Sequence, residues 1–138
     1  VDRALGFGLP LRAPQYGILF DKGVTSIVLY RQGQFQIELI VVAPNCEIPR
    51  HTHEDVDTYE MQVSGAMSFE VAGIQTGFLR EPRENGLHRD FMKYVPIAAG
   101  VEHAGNSGPA GAAFLSVQHW LKGEPTHVGT NWTGERVK

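Results

Sequence analysis

The sequence has little cysteine and no long apolar run. Cys46 is the single cysteine among 138 residues, so no internal disulfide can form and a disulfide-stapled secreted fold is excluded. No apolar run approaches the ~18 residues that a membrane-spanning helix needs, and no signal peptide is visible. A lone cysteine suits a reducing compartment, so we expect a cytoplasmic protein with no membrane partner.

An excess of charge of either sign is also missing. Twelve Lys and Arg residues stand against fifteen Asp and Glu residues, which gives a net charge of −3. No basic block is present to attract phosphate backbones, so we expect no nucleic-acid partner. Hydrophobic residues make up 42% of the chain and charged residues 20%. These values are near the globular average and exclude wholesale disorder.

Helical periodicity is scarce, whereas glycine and proline are abundant. The chain has 16 Gly and 8 Pro, about 17% of its residues against a usual ~12%. Short β-rich runs recur about every 8–12 residues, which favours an all-β sandwich or small barrel. The runs are Tyr16–Phe20, Val24–Tyr30, Gln34–Ala43, Ile48–His53, Thr58–Val63, Ala66–Val71, Phe91–Val95, the neighbourhood of His103, and Ala112–Leu121.

The length suits one domain with a single core. We expect a domain over 1–138, with an extended N-terminal arm over 1–14, a barrel over about 15–121 and a polar tail over 122–138. Gly73–Asp90 is predicted as the longest irregular stretch, a functional or mobile loop. The arm has apolar residues at alternating positions from Leu5 to Leu11. Such a strip would add to the sheet edge of a second copy, so we expect a homodimer.

Two of the six histidines form the strongest local motif. His51 and His53 are two residues apart, and residues at i and i+2 of a strand point to the same face. Their imidazoles would therefore converge on one point, as ligands of a transition metal do. A polar pair on an exposed strand face is the plainer alternative.

These two histidines and a third one, His103, lie in two segments that also contain turn residues. The first runs from Asn45 through His51 and His53 to Gly65, and the second runs from Ala98 through Gly100 to His103 and Asn106. Together they resemble the two motifs of the cupin superfamily. The first cupin motif reads Gly, five residues, His-x-His, three or four residues, Glu, six residues, Gly. The second reads Gly, five to seven residues, Pro-x-Gly, two residues, His, three residues, Asn.

The resemblance covers roughly Asn45 to Leu121. It implies a single-domain, RmlC-like, double-stranded β-helix barrel of the jelly-roll type with little helix, often dimeric. It also implies a divalent transition metal (Fe, Ni, Mn or Zn) held by His51, His53, His103 and a glutamate. Asn45 stands in the place of the first motif glycine and Ala98 in the place of the proline.

The motif glutamate has no counterpart in register. Counting six residues back from Gly65 reaches Thr58, and counting on from His53 reaches Asp57. If Thr58 faces the interior, period two places Glu60, Gln62 and Ser64 there as well.

In that first register Asp57 faces solvent, and Tyr59, Met61 and Val63 point outward, where they need a partner surface or an outer strand. In the alternative register Asp57 faces inward, those three residues fill the core, and Glu60 is solvated. We favour the first register, because the spacing from a hairpin's turn glycine is the stiffer constraint.

These residues predict a metal site with an acid or base beside it. Glu60 and Gln62 are the candidate catalytic residues, and Glu60 or Asp57 is a possible fourth ligand. Three neutral imidazoles leave a divalent ion with open positions for a small oxygen-bearing organic substrate. With Fe(II) the expected reaction is that of a dioxygenase; with Zn, Ni or Mn it is that of a lyase or isomerase. The alternative is a non-enzymatic cupin that binds a small molecule or is a structural module.

Overall fold

The structure is a computed structural model, and it describes residues 16–19, 23–78, 94–123, 125, 128–130 and 136–137. All the regular elements in these ranges are β-strands, as the sequence predicts. Among the described residues, no helix is long and apolar enough to cross a membrane. The strands are β1 (Tyr16–Leu19), β2 (Val24–Gln32), β3 (Phe35–Val42), β4 (Glu47–His51), β5 (Val56–Val71), β6 (Ile74–Phe78), β7 (Tyr94–Ile97), β8 (His103–Trp120), β9 (Val128–Thr130) and β10 (Arg136–Val137).

The two longest strands, β5 and β8, organise the fold. They pair antiparallel over their whole lengths, from Val56 opposite Trp120 to Val71 opposite His103. The first part of β5 and the last part of β8 belong to a six-stranded half, in the order β1-β2-β3-β8-β5-β7. Their other parts belong to a four-stranded half, in the order β4-β8-β5-β6. The result is an all-β double-sheet jelly roll.

Each long strand changes its inward face at a glycine. In β5 Glu60 is buried before the change and Met67 after it, so buried positions pass from even to odd numbers. Register shifts flank Gly65, whose φ is 70°, and Gly111 next to it in β8 has a φ of 77°. Only glycine adopts this backbone without strain. The two β-bulges let both strands cross from one half to the other.

This geometry corrects part of the sequence-based prediction. Gly65 is not the turn of a hairpin, because β5 continues through it to Val71. Ser64 is exposed rather than inward, since the bulge interrupts the alternation. The predicted loop Gly73–Asp90 begins with a strand, β6, which pairs with the end of β5. The rest of that loop and the arm over 1–14 lie outside the described residues.

The interior is apolar at one end and polar at the other. Along β3 the buried residues change from Gln36 and Glu38 to Ile40 and Val42. The apolar residues of both halves pack together and hold the halves in contact. They are Val24, Ile40, Val42, Ile48, Met67, Phe69, Phe78, Val95, Ile97, Ala112 and Phe114. The polar end is the part of the interior where a site has room for chemistry.

Candidate metal centre

Three histidines converge where β4 ends and β8 begins. His51 is the last residue of β4 and pairs with His103, the first residue of β8. His53 lies two residues beyond the strand. The ring centroids are 4.2 Å apart for His51 and His103, 4.7 Å for His51 and His53, and 5.1 Å for His53 and His103. One nitrogen atom from each ring lies within 4.8 Å of the others. The structure therefore brings together the three residues predicted as metal ligands.

Backbone carbonyl groups orient two of these rings. Nδ1 of His51 lies 2.7 Å from the carbonyl oxygen of Pro49, and Nδ1 of His103 lies 2.9 Å from that of Val101. A carbonyl oxygen only accepts, so each Nδ1 carries the hydrogen and each Nε2 keeps a lone pair. Metal-binding histidines are oriented by bonds of this kind. Nε2 of His51 lies 3.1 Å from Nε2 of His53.

Burial keeps the three imidazoles neutral. It lowers the pKa of His51 to about 4, with a further contribution from the charge of His103. Burial likewise lowers the pKa of His53 well below its usual 6.5, and the charges of the other two rings add to this effect. Burial also lowers the pKa of His103. The hydrogen bond from its ring to the carbonyl oxygen of Val101 acts in the opposite direction but is the smaller effect. Near neutral pH the lone pairs are free of protons, which is the state that binds a divalent metal.

Neither candidate carboxylate belongs to this group of nitrogen atoms. Oδ1 of Asp57 accepts a hydrogen bond of 2.8 Å from the backbone N–H of Ala99. The expectation that Asp57 faces solvent is therefore wrong: its side chain is half-buried and holds the turn that precedes His103.

Glu60 lies inside the barrel, in the register that we favoured. Its side chain is 6% exposed, whereas the neighbouring Tyr59 is 50% exposed. Burial raises the pKa of Glu60 to about 7; the nearby hydroxyl groups of Thr58 and Ser116 oppose the rise, and the charge of Glu38 adds to it. Among the described residues, neither Oε2 of Glu60 nor Oγ1 of Thr58, both buried, has a partner at full hydrogen-bonding geometry. Two polar atoms are thus available inside the barrel.

A small cavity lies between Glu60 and His53, one of the three histidines. Its volume is about 40 Å³, room for roughly three water molecules. The cavity is lined by His53, Val56, Thr58, Glu60, Ser116, Gln118 and Trp120. A small polar group entering it would meet the imidazole ring of His53 at one side and the side-chain oxygen atoms of Glu60 and Thr58 at the other.

Gln62, the second candidate catalytic residue, does not line this cavity. Its side-chain amide donates a hydrogen bond of 2.9 Å to the carbonyl oxygen of Gly65. The bulge diverts the strand at this point, so Gln62 stabilises the bulge while Glu60 remains at the cavity.

Gln118 links the cavity to a second buried carboxylate. Its Nε2 donates to Oγ of Ser116 at 3.2 Å and to Oε2 of Glu38. Its Oε1 accepts hydrogen bonds from Gln36 at 3.2 Å and from the indole of Trp120 at 3.0 Å. All four hydrogen-bonding positions of the amide are used, so Gln118 has one orientation. Glu38 is fully buried, and burial raises its pKa.

The sequence-based search missed Glu38 and Gln118. The alternation over Gln34–Glu38 puts polar residues on one face and Phe35, Ile37 and Leu39 on the other. A polar row of this kind normally faces solvent, and here it faces the interior. No local signal in the sequence could have found it, because the apolar row on the opposite face is the one that a sequence pattern assigns to the core.

The arrangement defines a class of protein. A double-sheet jelly roll with three histidines together where β4 ends and β8 begins has the cupin fold. No family model matches the sequence, and no curated protein matches it.

Solved structures share this fold, and two of the three that follow are described as cupins. KdgF from Halomonas sp. is 11% identical, with 78% of this chain and 86% of that chain covered, at a TM-score of 0.61. An RmlC-like cupin from Shewanella frigidimarina is 13% identical, with 80% and 86% covered, at 0.61. The Cnp3 cupin domain of Schizosaccharomyces pombe is 10% identical, with 83% and 73% covered, at 0.60. At these identities the likeness concerns the fold.

Proposed function

We propose that this protein is a metal-dependent cupin enzyme that acts on a small, oxygen-bearing organic substrate. The observation that carries the proposal is the convergence of three neutral imidazoles on one point beside a cavity with a buried carboxyl group. Three nitrogen ligands suit Fe, Ni, Mn or Zn. Such an ion would supply Lewis-acid chemistry and, as Fe(II), the chemistry of dioxygen.

The chain's own part in this chemistry begins with ligand orientation. The carbonyl oxygens of Pro49 and Val101 fix the rings of His51 and His103. Because the rings are held before a metal arrives, little reorganisation is needed on binding, and the metal affinity rises accordingly.

Glu60 is the proposed general acid or base. Its pKa of about 7 lets it hold or release a proton near neutral pH, which is the condition for efficient acid–base catalysis. Ser116 holds Oε1 through a hydrogen bond, whereas Oε2 makes no full hydrogen bond to any residue that the structure describes. Proton transfer to or from a substrate group in the cavity would therefore take place at Oε2.

The lining of the cavity restricts the substrate. Val56 and Trp120 form apolar walls, and Thr58 offers a hydroxyl group for a hydrogen bond. A volume of about 40 Å³ admits a group of only a few heavy atoms. A hydroxyl, carbonyl or carboxylate group on a small molecule fits these walls.

Metal analysis of the purified protein tests this function. We expect about one equivalent of a transition metal per chain in protein prepared without an affinity tag or a chelator, measured by mass spectrometry of the elements. Protein that carries no metal and takes up none of Fe, Ni, Mn or Zn on dialysis would refute the proposal and favour a non-enzymatic cupin.

A further inference from the structure

Thr58 and Glu60 form a pair of buried polar side chains at the cavity. They lie two positions apart on β5, are 5% and 6% exposed, and both line the cavity. The Thr58 hydroxyl group is near enough to lower the pKa of Glu60. Even so, neither Oγ1 of Thr58 nor Oε2 of Glu60 makes a full hydrogen bond to any described residue. Buried polar atoms are nearly always paired, so these two atoms indicate a partner that enters the cavity.

The other polar side chains of β8 at the cavity are engaged with each other. Oγ of Ser116 donates to Oε1 of Glu60 at 3.1 Å and accepts from Nε2 of Gln118 at 3.2 Å. The amide of Gln118 has all four of its hydrogen-bonding positions in use. The ring of His53 belongs to the metal centre. A ligand group in the cavity therefore has Thr58 and Oε2 of Glu60 as its polar contacts.

Donor and acceptor capacity decides which group pairs with both atoms. Oε2 of an ionised Glu60 only accepts hydrogen bonds, whereas a protonated carboxyl group also donates one; Oγ1 of Thr58 does both. A hydroxyl group donates one hydrogen and accepts others, so it pairs with both atoms in either state of Glu60. A carbonyl group only accepts, so it leaves Oε2 of the ionised Glu60 without a partner.

The charges at the cavity disfavour a carboxylate ligand. Neither Lys nor Arg occurs among the described residues that line the cavity. Glu60 is itself acidic, and the charge of Glu38 acts on it in the direction that opposes ionisation. An anionic ligand group would be buried here without a counter-ion, which is costly.

The size and the walls of the cavity favour a hydroxyl group on a primary carbon. The cavity volume is about 40 Å³, room for roughly three water molecules, so a –CH₂OH group fits. Val56 and Trp120 supply apolar walls for the carbon atom. The polar atoms of Thr58 and Glu60 face the oxygen end of such a group.

We propose that the cavity binds a primary alcohol group of the substrate, which pairs with Oε2 of Glu60 and with the hydroxyl group of Thr58. Thr58 is then a specificity-determining residue, and the substrate class narrows to hydroxylated small molecules. The assignment deepens the proposed function and rests on it for the identity of the site. The hydrogen bonds of the alcohol group themselves need no metal.

Methanol is the smallest probe of this site, and metal-free protein is the sample. The ¹H–¹⁵N NMR signal of the Trp120 indole reports binding, because this ring lines the cavity. A ligand of two heavy atoms has a dissociation constant of about 10 mM at best, so we expect saturation between about 10 mM and 1 M. Nuclear Overhauser effects should connect the methyl group of methanol to the Trp120 ring. Formate at matched ionic strength should bind about tenfold more weakly or worse.

Three threonine variants test the role of Thr58. Thr58→Val removes the hydroxyl group at nearly constant shape and should weaken methanol binding about two- to tenfold, the effect of one hydrogen bond. Thr58→Ser keeps the hydroxyl group and should bind methanol like the wild type. Thr25→Val is the matched control, since Thr25 is an exposed threonine on β2, and it should also leave the affinity unchanged.

A shift of the Trp120 signal that never saturates would overturn the proposal, as expected of a cavity that holds water alone. So would formate that binds as tightly as methanol, or Thr58→Val with the affinity of the wild type. If Thr58→Val does not fold, the comparison of methanol with formate in the wild type decides. Metal uptake without methanol binding would refute this inference alone. Methanol binding in a protein that takes up no metal would refute the metal-dependent function and support the alcohol site.

Discussion

The hydroxyl group of Ser116 donates a hydrogen bond of 3.1 Å to Oε1 of Glu60. The direction of this bond is set by Gln118, whose Nε2 donates to the same hydroxyl oxygen at 3.2 Å. An amide nitrogen cannot accept, so the hydrogen of Ser116 is left for Glu60. One carboxylate oxygen is thereby held in place, and the other remains at the cavity.

Removal of this hydrogen bond should raise the pKa of Glu60 above its value of about 7. A hydrogen bond to a charged group contributes about 1.5–3 kcal/mol, so Ser116→Ala should move the pKa upward by roughly one to two units. The titration can be followed by NMR of the ¹³C-labelled carboxyl group in metal-free protein. Ser64→Ala, at an exposed position of β5, is the control and should cause no shift. A fall in the pKa for Ser116→Ala would contradict the assigned contact.

The free energy of unfolding should depend on pH through Glu60. Its pKa rises from a usual 4.5 to about 7 in the folded state. The proton that the folded state holds therefore stabilises it fully below pH 4.5, and this stabilisation is lost as the pH rises through 7. The loss is on the order of 3 kcal/mol.

Urea denaturation of metal-free protein across this pH range measures the effect. Glu60→Gln stays neutral, so its stability relative to the wild type should increase from pH 4.5 to pH 8. Equal pH dependence in both proteins would mean that Glu60 is not buried as described.

The histidines should contribute to metal affinity far more than to folding. His51→Ala or His103→Ala should weaken metal binding by about 100-fold or more, because each removes one of three ligands. The circular dichroism of the β-sheet should change little. His119→Ala is the matched control, since the ring of His119 stacks on Phe35 at 4.7 Å and is outside the cluster. Stoichiometric metal in both ligand variants would disprove the three-histidine site.

Asp57 should matter for stability through its contact with the turn before His103. Asp57→Ala removes the acceptor of the Ala99 N–H and should lower the free energy of unfolding by about 1.5–3 kcal/mol. Asp57→Asn keeps an acceptor oxygen and should cost less. Chemical denaturation of both variants measures these free energies of unfolding. If Asp57→Ala is as stable as the wild type, the hydrogen bond to Ala99 does not stabilise the fold.

The bulge at Gly65 should tolerate no side chain. A Cβ atom there would collide with the backbone carbonyl of Gly111, and φ is 70°. Gly33 is the control, because its φ is 57° but nothing lies within 4 Å of an added Cβ atom. We expect Gly33→Ala to cost about 1–2 kcal/mol and Gly65→Ala to cost more than about 4 kcal/mol. If Gly33→Ala and Gly65→Ala lose similar free energies of unfolding in chemical denaturation, then β5 and β8 can accommodate a side chain at the bulge.

Much of the fold and of the metal centre could be predicted from the sequence. Turn residues and period-two patterns are local signals, and they located most of the strands. The spacing of His51 and His53, with the segment around His103, identified the cluster that the structure brings together. Counting back from Gly65 also placed Thr58 and Glu60 on the inner face, as their burial confirms.

The remaining features depend on contacts between distant residues. A bulge and a hairpin turn both use glycine at positive φ, so Gly65 looked like the end of a strand. Only the pairing of β5 with β8 distinguishes the two. Gln36 and Glu38 likewise form a polar row whose side of the sheet is set by Gln118, more than 80 positions away for Gln36. No local pattern contains that information.

The paired bulges at Gly65 and Gly111 have a consequence for the dissection of the protein. Because β5 and β8 each run through both halves, no single cut in the chain separates one half from the other. A continuous fragment from β4 to the start of β8 would carry all three histidines, yet it would end before Ser116, Gln118 and Trp120, which line the cavity beside His53. The metal centre therefore belongs to the domain as a whole, and it cannot be transferred to another scaffold as one continuous peptide.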